Sequence, residues 1–223
     1  MNHDNPIVNI DPGALPLAFY LEKYAEEDPV RLSNRLGIPY EMTGRKFHFS
    51  FMGRMYTASH PDLQIYCAEG KDVFGLGGSD AFRHLFLRFL LYASVFPSNG
   101  DFRRFEDLPS GMAYAADFRE KCTDRLMRRY GKVQQAFEAI MEDVSALRVW
   151  GADIAYELEF LDGLYIRFLF WRGNAASEPS ADILFSGNFP AAFSVQELPE
   201  VIDICMEAFD AADPLFAAAN PWH

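Results

Sequence analysis

The clearest pattern in the chain is a strict alternation of apolar and polar residues after position 45. Phe47, Phe49 and Phe51 alternate with polar neighbours, which is typical of a strand with one buried face. Gly53 then marks a turn, and the segment MYTAS returns as a second strand. The run LQIYCA over 63–68 predicts a third strand after this hairpin.

A second hairpin is predicted where the segments AYELEF and LYIRFLFW flank the pair Asp162-Gly163. This pair is strongly preferred in two-residue hairpin turns. Glu157 and Glu159 give the first strand one polar face, whereas the second strand is apolar on both faces and should lie inside a sheet. The run ADILFS over 181–186 predicts a third strand here as well.

Segments with the 3.6-residue period of a helix separate and follow these hairpins. The last of them begins with Ser194-x-x-Glu197, the pattern of a capping box. A stretch with Pro, Gly and polar residues over 97–113 is predicted to be a loop. Helices are predicted over 11–28, starting at Asp11-Pro12, and over 30–36, 79–96, 114–130, 133–147 and 194–210.

The order of these elements suggests an internal repeat, because each half reads hairpin, third strand and helix. The turn glycines Gly53 and Gly163 are 110 residues apart. We therefore predict an α+β fold with mostly antiparallel strands and packed helices. It would form one globular domain over 1–223, with similar β-β-β-α halves at 11–100 and 114–212. The alternative is that a hairpin followed by a helix recurs here by chance.

The composition predicts a folded and soluble protein. Half of the 223 residues are hydrophobic and 21 are phenylalanine, which favours a Phe-rich core, with an aromatic-lined ligand pocket as the alternative. The net charge of −12 argues against binding to duplex nucleic acid. The longest apolar run, over 85–96, is too short to span a membrane, and the first residues lack a signal-peptide pattern. We expect a cytoplasmic location.

The acidic residues are concentrated in the last third, since residues 150–223 carry 12 acidic and 2 basic side chains. This segment forms either a solvated acidic face or a docking surface for a basic partner. Arg125, Arg128, Arg129 and Lys132 lie at helical spacing. They form either a solvated face or a contact with an acidic partner, such as the chain's own last third.

Motifs for metal or covalent chemistry are absent from the sequence. Cys67, Cys122 and Cys205 are scattered without metal-ligand spacing, which favours reduced thiols, and we expect neither a metal nor a cofactor. The glycine-rich segment 75–80 precedes a helix but lacks the lysine of a phosphate-binding loop. A turn with a helix cap is the main interpretation of that segment, and an anion site is the alternative.

A candidate site follows the apolar strand that ends at Trp171. Loops at strand ends often carry function, and a tryptophan beside an arginine can stack on planar ligands. The alternative is a core tryptophan beside ordinary surface charges. The candidate ligand-binding residues are Trp171, Arg172, Glu178, Asp182, Arg103 and Arg104.

The last third resembles a bacterial family known only as domain of unknown function 3786. The segments IRFLFW, ADILFS and SVQELPEVIDI carry the resemblance, together with the polar loop that contains Glu178. FHFSFMGRMY, LFLRFLLYAS and FRRFEDLPSG are compatible with it, so that it would cover 11–210. This chain departs from the family pattern at Ser186, where relatives have aspartate, and in the loop around Asn174. The resemblance implies a bacterial, soluble α+β protein and no particular activity.

Three functions remain open at the level of sequence. The leading hypothesis is a non-catalytic binding or accessory module for a small molecule or a protein partner. One alternative is an enzyme, either a hydrolase or a transferase, that uses carboxylates near Glu178 and Asp182 with Arg103, Arg104 or Arg172. The other is a homo-oligomeric structural protein. Neither a nucleic acid nor a membrane is expected as a partner, and the oligomeric state is left open.

Overall fold

Both alternating segments form hairpins of one antiparallel sheet in the computed structural model, which describes residues 15–174 and 177–213. The expected helix start at Asp11 and Pro12 lies outside the described residues. Within them, the strands are β1 (Tyr40–Glu41), β2 (Lys46–Phe51), β3 (Arg54–Ser59), β4 (Ile65–Cys67), β5 (Phe102–Arg104), β6 (Leu147–Arg148), β7 (Ile154–Leu161), β8 (Leu164–Trp171) and β9 (Ser180–Ser186).

The α-helices lie before and after the two hairpins, which confirms the α+β class. They are α1 (Leu17–Glu26), α2 (Pro29–Leu36), α3 (Asp80–Tyr92), α4 (Ala115–Phe118), α5 (Asp124–Tyr130), α6 (Gln134–Asp143) and α7 (Leu198–Ala212). A π-helical turn over Arg119–Thr123 joins α4 to α5, so that 115–130 forms one continuous helical segment. Across the described ranges, no helix has the length and apolar composition that crossing a membrane requires.

The two hairpins meet side by side at the centre of the sheet. The strand order is β4-β3-β2-β7-β8-β9-β5, with β1 beside β2 and β6 beside β7. β2 pairs with β7 at Phe51, which lies opposite Leu161, and each of these residues lies two positions before its turn glycine. Counted outward from this pair, one side of the sheet has β2, β3 and β4 and the other side has β7, β8 and β9, so each side shows the strands of its half in chain order. Two similar halves would give this order, and the duplication itself stays a prediction.

Aromatic side chains fill the space between the helices and one face of the sheet. Sixteen of the 21 phenylalanines are buried within the described residues, which supports the Phe-rich core. In the first half, the ring of Phe86 on α3 lies 4.4 Å from that of Phe49 on β2, centroid to centroid. In the second half, the corresponding distance from Phe209 on α7 to Phe168 on β8 is 5.4 Å.

Helix α3 ends earlier than the pattern predicts, at Tyr92 instead of Phe96. The N–H of Ser94 donates to the carbonyl of Ala191 at 3.0 Å, so the chain has left the helix by this point. Pro97 also disfavours a helical conformation in the residue before it. Phe96 is consequently half exposed and does not join the stack of aromatic residues on α3.

The prediction of a loop over 97–113 is wrong. This segment contains β5 and two short 3₁₀ turns, at Phe105–Asp107 and Gly111–Tyr114. β5 has three residues, too few to show an alternating pattern, and its place is set by pairing with β9. The two-residue strands β1 and β6 escape sequence analysis for the same reason.

A buried ion pair joins the helices of the two halves. The side chain of Arg88 on α3 is 2% exposed and contacts Glu200 on α7. Its Nε also lies 3.5 Å from Oε1 of Glu197. The N–H and Oγ of Ser194 both donate to Glu197 at 2.8 Å, but residues 195–197 form a turn and α7 begins at Leu198, so the predicted helix start at Ser194 is wrong. A charge this deeply buried is tolerated because it is paired.

We predict that Arg88→Ala lowers the free energy of unfolding by about 3–5 kcal/mol, because it leaves two acidic groups at a buried position without their cation. Arg83→Ala is the matched control, since Arg83 lies on the same helix and pairs with the exposed Asp80 at 3.1 Å. Its cost should be about 1 kcal/mol or less. Urea denaturation measures both values, and equal losses in the two variants would contradict the prediction.

Candidate functional site

A cavity of about 640 Å³ lies beside β9, at the point where β5 stops covering it. β5 pairs with residues 184–186 of β9, whereas residues 180–182 line the cavity. The end of β5, at Arg104, forms one side of the cavity, and the helical segment 115–130 forms the other. The site is therefore created by the difference in length between two neighbouring strands.

The helical wall of this cavity contains the π-helical turn. Arg119 and Thr123, the first and last residues of the turn, line the cavity, while Cys122 between them is buried. Such turns are rare and are often found at functional sites. The rings of Phe105 and Phe118 stack at 4.0 Å and form an apolar part of the lining. The cavity thus combines a rigid aromatic wall with charged side chains.

Asp182 forms the polar side of the cavity together with Arg104. Nε of Arg104 lies 3.0 Å from Oδ2 of Asp182, and Oδ1 of Asp182 accepts a hydrogen bond from the N–H of Ile183 at 2.9 Å. Burial raises the pKa of the Asp182 carboxyl, and the neighbouring guanidinium groups of Arg104 and Arg119 oppose this rise. The carboxylate is therefore already engaged by two donors of the chain itself.

The structure brings three of the six candidate residues together, since Trp171, Asp182 and Arg104 line the same cavity. Arg172 lies in an adjacent cavity of about 870 Å³, which Pro179 also lines. Its backbone N–H donates to Oδ2 of Asp153 at 2.8 Å and its Nε donates to Oε1 of Gln134 at 3.1 Å.

The other two candidates lie apart from the first cavity. Glu178 is exposed and contributes to neither cavity. Arg103 is exposed on β5, and its side chain points away from that of Arg104, because successive side chains of a strand face opposite sides. Glu178 is therefore outside the cavity, whose lining carboxylates are Asp182, Glu106 and Asp124.

The arginines of the helical segment divide into two groups. Arg125 contacts Asp203 on α7, and Nη2 of Arg129 lies 3.0 Å from Oδ1 of Asp210. These two residues contact the acidic last third of the chain, one of the two interpretations that the sequence left open. Within the described part of the chain, Arg119 and Arg128 have no ion-pair partner within 4 Å, and both line the cavity.

Sequence analysis missed Arg119, and it grouped Arg128 with its neighbours on α5. A regular helix would give no reason to separate residue 119 from the surrounding polar positions. The sequence offers no reliable signal, because Asp203 and Asp210 are seven residues apart whereas their partners Arg125 and Arg129 are four residues apart. Which arginines of α5 pair with α7 therefore becomes visible only in the folded chain.

The glycine-rich segment before α3 and two of the cysteines, which the sequence analysis considered for chemistry, have structural roles. Ser79 Oγ accepts from the N–H of Phe82 at 3.2 Å, so the glycine-rich segment ends in a turn and a helix cap. Burial raises the pKa of the Cys122 thiol to about 12, and burial also raises the pKa of Cys205. Such thiols are poor nucleophiles. Among the described residues, no group of three His, Cys, Asp or Glu side chains is placed to hold a metal ion.

A second polar cluster lies where the two hairpins meet. The N–H of Ser50 donates to both carboxylate oxygens of Asp162, at 3.2 and 3.1 Å. Glu159 accepts from the Oγ of Ser50 at 3.3 Å and from the N–H of Gly163 at 2.9 Å. Burial raises the pKa of Asp162 to about 6, and the charge of Glu159 adds to the rise. This cluster ties one hairpin to the other.

Ser186 on β9 belongs to the adjoining buried network. Its Oγ accepts from the N–H of Tyr165 at 3.0 Å and donates to Oδ1 of Asn188 at 2.7 Å. Nδ2 of Asn188 in turn donates to the carbonyls of Phe96 and Gly163, both at 2.8 Å. The position thus supports the turn of the second hairpin and lies away from the β9 cavity.

The chain is therefore an α+β protein with one antiparallel sheet, helices on one face and a cavity at the uncovered half of its last long strand. It belongs to the family described as domain of unknown function DUF3786, whose model matches residues 28–207. The match confirms the resemblance seen in the sequence. No curated protein and no solved structure matches the chain.

We predict that Asp162→Asn flattens the pH dependence of stability. The folded state holds the Asp162 proton more tightly than the unfolded chain, in which the pKa is 3.8, so the stability that this group contributes is complete below pH 3.8 and is lost as the pH rises through about 6. Between pH 4.5 and 7.5 the wild type should lose about 2 kcal/mol relative to the variant. The asparagine oxygen can still accept from Ser50.

Urea denaturation at several pH values measures this difference. Asp143→Asn is the control, because Asp143 is half exposed and its ion pair with Arg54, at 3.4 Å, lies on the surface. The control should follow the wild type across the whole range. Parallel curves for the wild type and Asp162→Asn would mean that the Asp162 carboxyl titrates in the folded protein as it does in water.

Proposed function

We propose that this protein is a non-catalytic binding module and that the cavity beside β9 holds a ligand with at least one anionic group. The observation that carries the proposal is the pair of cavity-lining arginines, Arg119 and Arg128, that have no ion-pair partner among the described residues. The protein has a net charge of −12, so it has many carboxylates with which these two arginines could have paired. An anionic ligand would supply the missing partner.

Each part of the lining has a defined role in this proposal. Arg119 and Arg128 would bind the anionic group, because a guanidinium presents a planar set of donors to carboxylate or phosphate. Trp171 and the stacked pair Phe105 and Phe118 would contact the apolar part of the ligand. The Arg104–Asp182 pair, 3.0 Å apart, would fix the polar end of the cavity.

The size of the cavity supports this interpretation. Ligand sites are commonly about 300–1,000 Å³ and combine apolar walls with a few placed polar groups. The cavity beside β9, of about 640 Å³, lies inside this range and has both features. The cavity also contains the carboxylates Glu106 and Asp124, and the enzyme hypothesis, which named Glu178 beside Asp182, stays the second candidate.

We also propose that the protein acts in the cytoplasm. Cys67, Cys122 and Cys205 are all free thiols, and the last two are buried in the core. Reduced cysteines of this kind are usual in reducing compartments. The anionic ligand would accordingly be one that the cytoplasm contains.

The double variant Arg119→Gln, Arg128→Gln tests the proposal. Thermal unfolding is followed with millimolar di- and tricarboxylates and phosphate esters, because a ligand that binds the folded state raises the unfolding temperature. We expect at least one of these anions to stabilise the wild type and to bind the double variant at least tenfold more weakly.

The matched control is Arg125→Gln, Arg129→Gln, which removes the same charge from the same helical segment but on the side that faces α7. This control should bind the anion as the wild type does, although its own stability is lower. The proposal is wrong if no anion of the panel stabilises the wild type, or if both double variants lose binding equally.

A further inference from the structure

We propose that the ligand of the β9 cavity is an extended acidic segment of a partner protein, which adds to the sheet as a strand along the uncovered half of β9. This inference rests on the proposed function, because it uses the same cavity and the same two arginines. It goes further by assigning the backbone of β9 a direct role in binding and by naming the conformation of the ligand.

The first observation is the free edge of β9. Residues 180–185 pair with β8 on one side, whereas β5 covers residues 184–186 on the other side. Within the described residues, positions 180–182 therefore have a strand neighbour on one side and the cavity on the other. An uncovered edge presents backbone donors and acceptors that can pair with another chain.

The second observation is the way in which the edge is protected. The N–H of Ile183 donates to the carboxylate of Asp182, its own neighbour, at 2.9 Å. Since alternate residues of a strand direct their backbone groups to the same side, the N–H and C=O of Ala181 also point toward the cavity. Asp182 thus occupies a place where an incoming carbonyl would bind, and an added strand would displace it toward Arg104.

The opposite edge of the sheet does not offer such a place. There, the loop that contains Gly77 lies against β4, and a Cβ on Gly77 would come within 2.7 Å of the carbonyl oxygen of Ile65. Natural sheets commonly cover their edges in this way. At β4 the edge is therefore covered by the chain's own loop, whereas residues 180–182 of β9 face the cavity.

The third observation is the charge along the opposite wall. An added strand would continue the line of β5 beyond Arg104, along the cavity that the helical segment lines on its other side. Arg119 and Arg128 are nine residues apart on that segment, a rise of at most about 13.5 Å at the α-helical 1.5 Å per residue, since the π-helical turn over 119–123 rises less per residue. Four residues of a strand span about the same length, at about 3.4 Å per residue.

The geometry consequently predicts the sequence pattern of the ligand. Residues i and i+4 of a strand point to the same side, so two acidic residues at this spacing could each reach one of the two arginines. Between them, β-branched or aromatic residues would favour the extended conformation and contact the apolar lining. Main-chain hydrogen bonds would supply affinity and the two acidic residues would supply specificity, as in other cases of strand addition.

A random octapeptide library displayed on phage, selected on the full-length wild type and counter-selected on Arg119→Gln, Arg128→Gln, tests the inference. We expect selected peptides to carry acidic residues at i and i+4. Their affinity should fall at least tenfold for Ala181→Pro, which removes an N–H on the free edge, where proline is tolerated. Calorimetry measures these affinities.

Methylation of the peptide backbone gives a second test that does not depend on how Ala181→Pro folds. Two series of peptides are made, one methylated at the odd backbone amides and one at the even amides. Binding should be lost in the series whose methylated amides face β9 and should change little in the other series. The inference is overturned if no peptide is selected, or if both methylated series bind equally well. If small carboxylates still bind through Arg119 and Arg128 in that case, the peptide inference fails while the proposed function stands.

Discussion

The candidate site depends on one mismatch in the sheet, because β5 covers three of the seven residues of β9. After Arg104 the chain turns away into a 3₁₀ turn, where the ring of Phe105 stacks on Phe118. The ring stack forms part of the cavity lining, and Asp182, Trp171 and the two ends of the π-helical turn line the same cavity.

A second constraint keeps the two hairpins in register. The strands β2 and β7 share the residue pair Phe51–Leu161, and the Asp162 carboxylate accepts the next free N–H of β2, that of Ser50. Above the sheet, Arg88 links α3 to α7. The shared aromatic core joins the halves as well, since Phe51 packs on Phe160 and Phe89 packs on Phe193.

Much of the fold could be predicted from local patterns. The alternation around Phe49 and the Asp162-Gly163 turn locate both hairpins, because a strand with one buried face leaves its period in the sequence. The short strand β5 and the π-helical turn leave no such signal, since their conformations are set by contacts with β9 and by burial of Cys122. Trp171 and Asp182 could be placed near a site, whereas Arg119 and its lack of a partner could be recognised only from the folded chain.

Amide hydrogen exchange of the free protein, read residue by residue by NMR, tests the central claim most directly. The claim is that the half of β9 beside the cavity is an open strand edge. The amides of Ala181 and Phe185 point to the same side of β9, but β5 covers the second and leaves the first open. We predict that Ala181 exchanges at least tenfold faster than Phe185 and slows when a selected peptide is added. Equal protection of the two amides without a ligand would contradict the account.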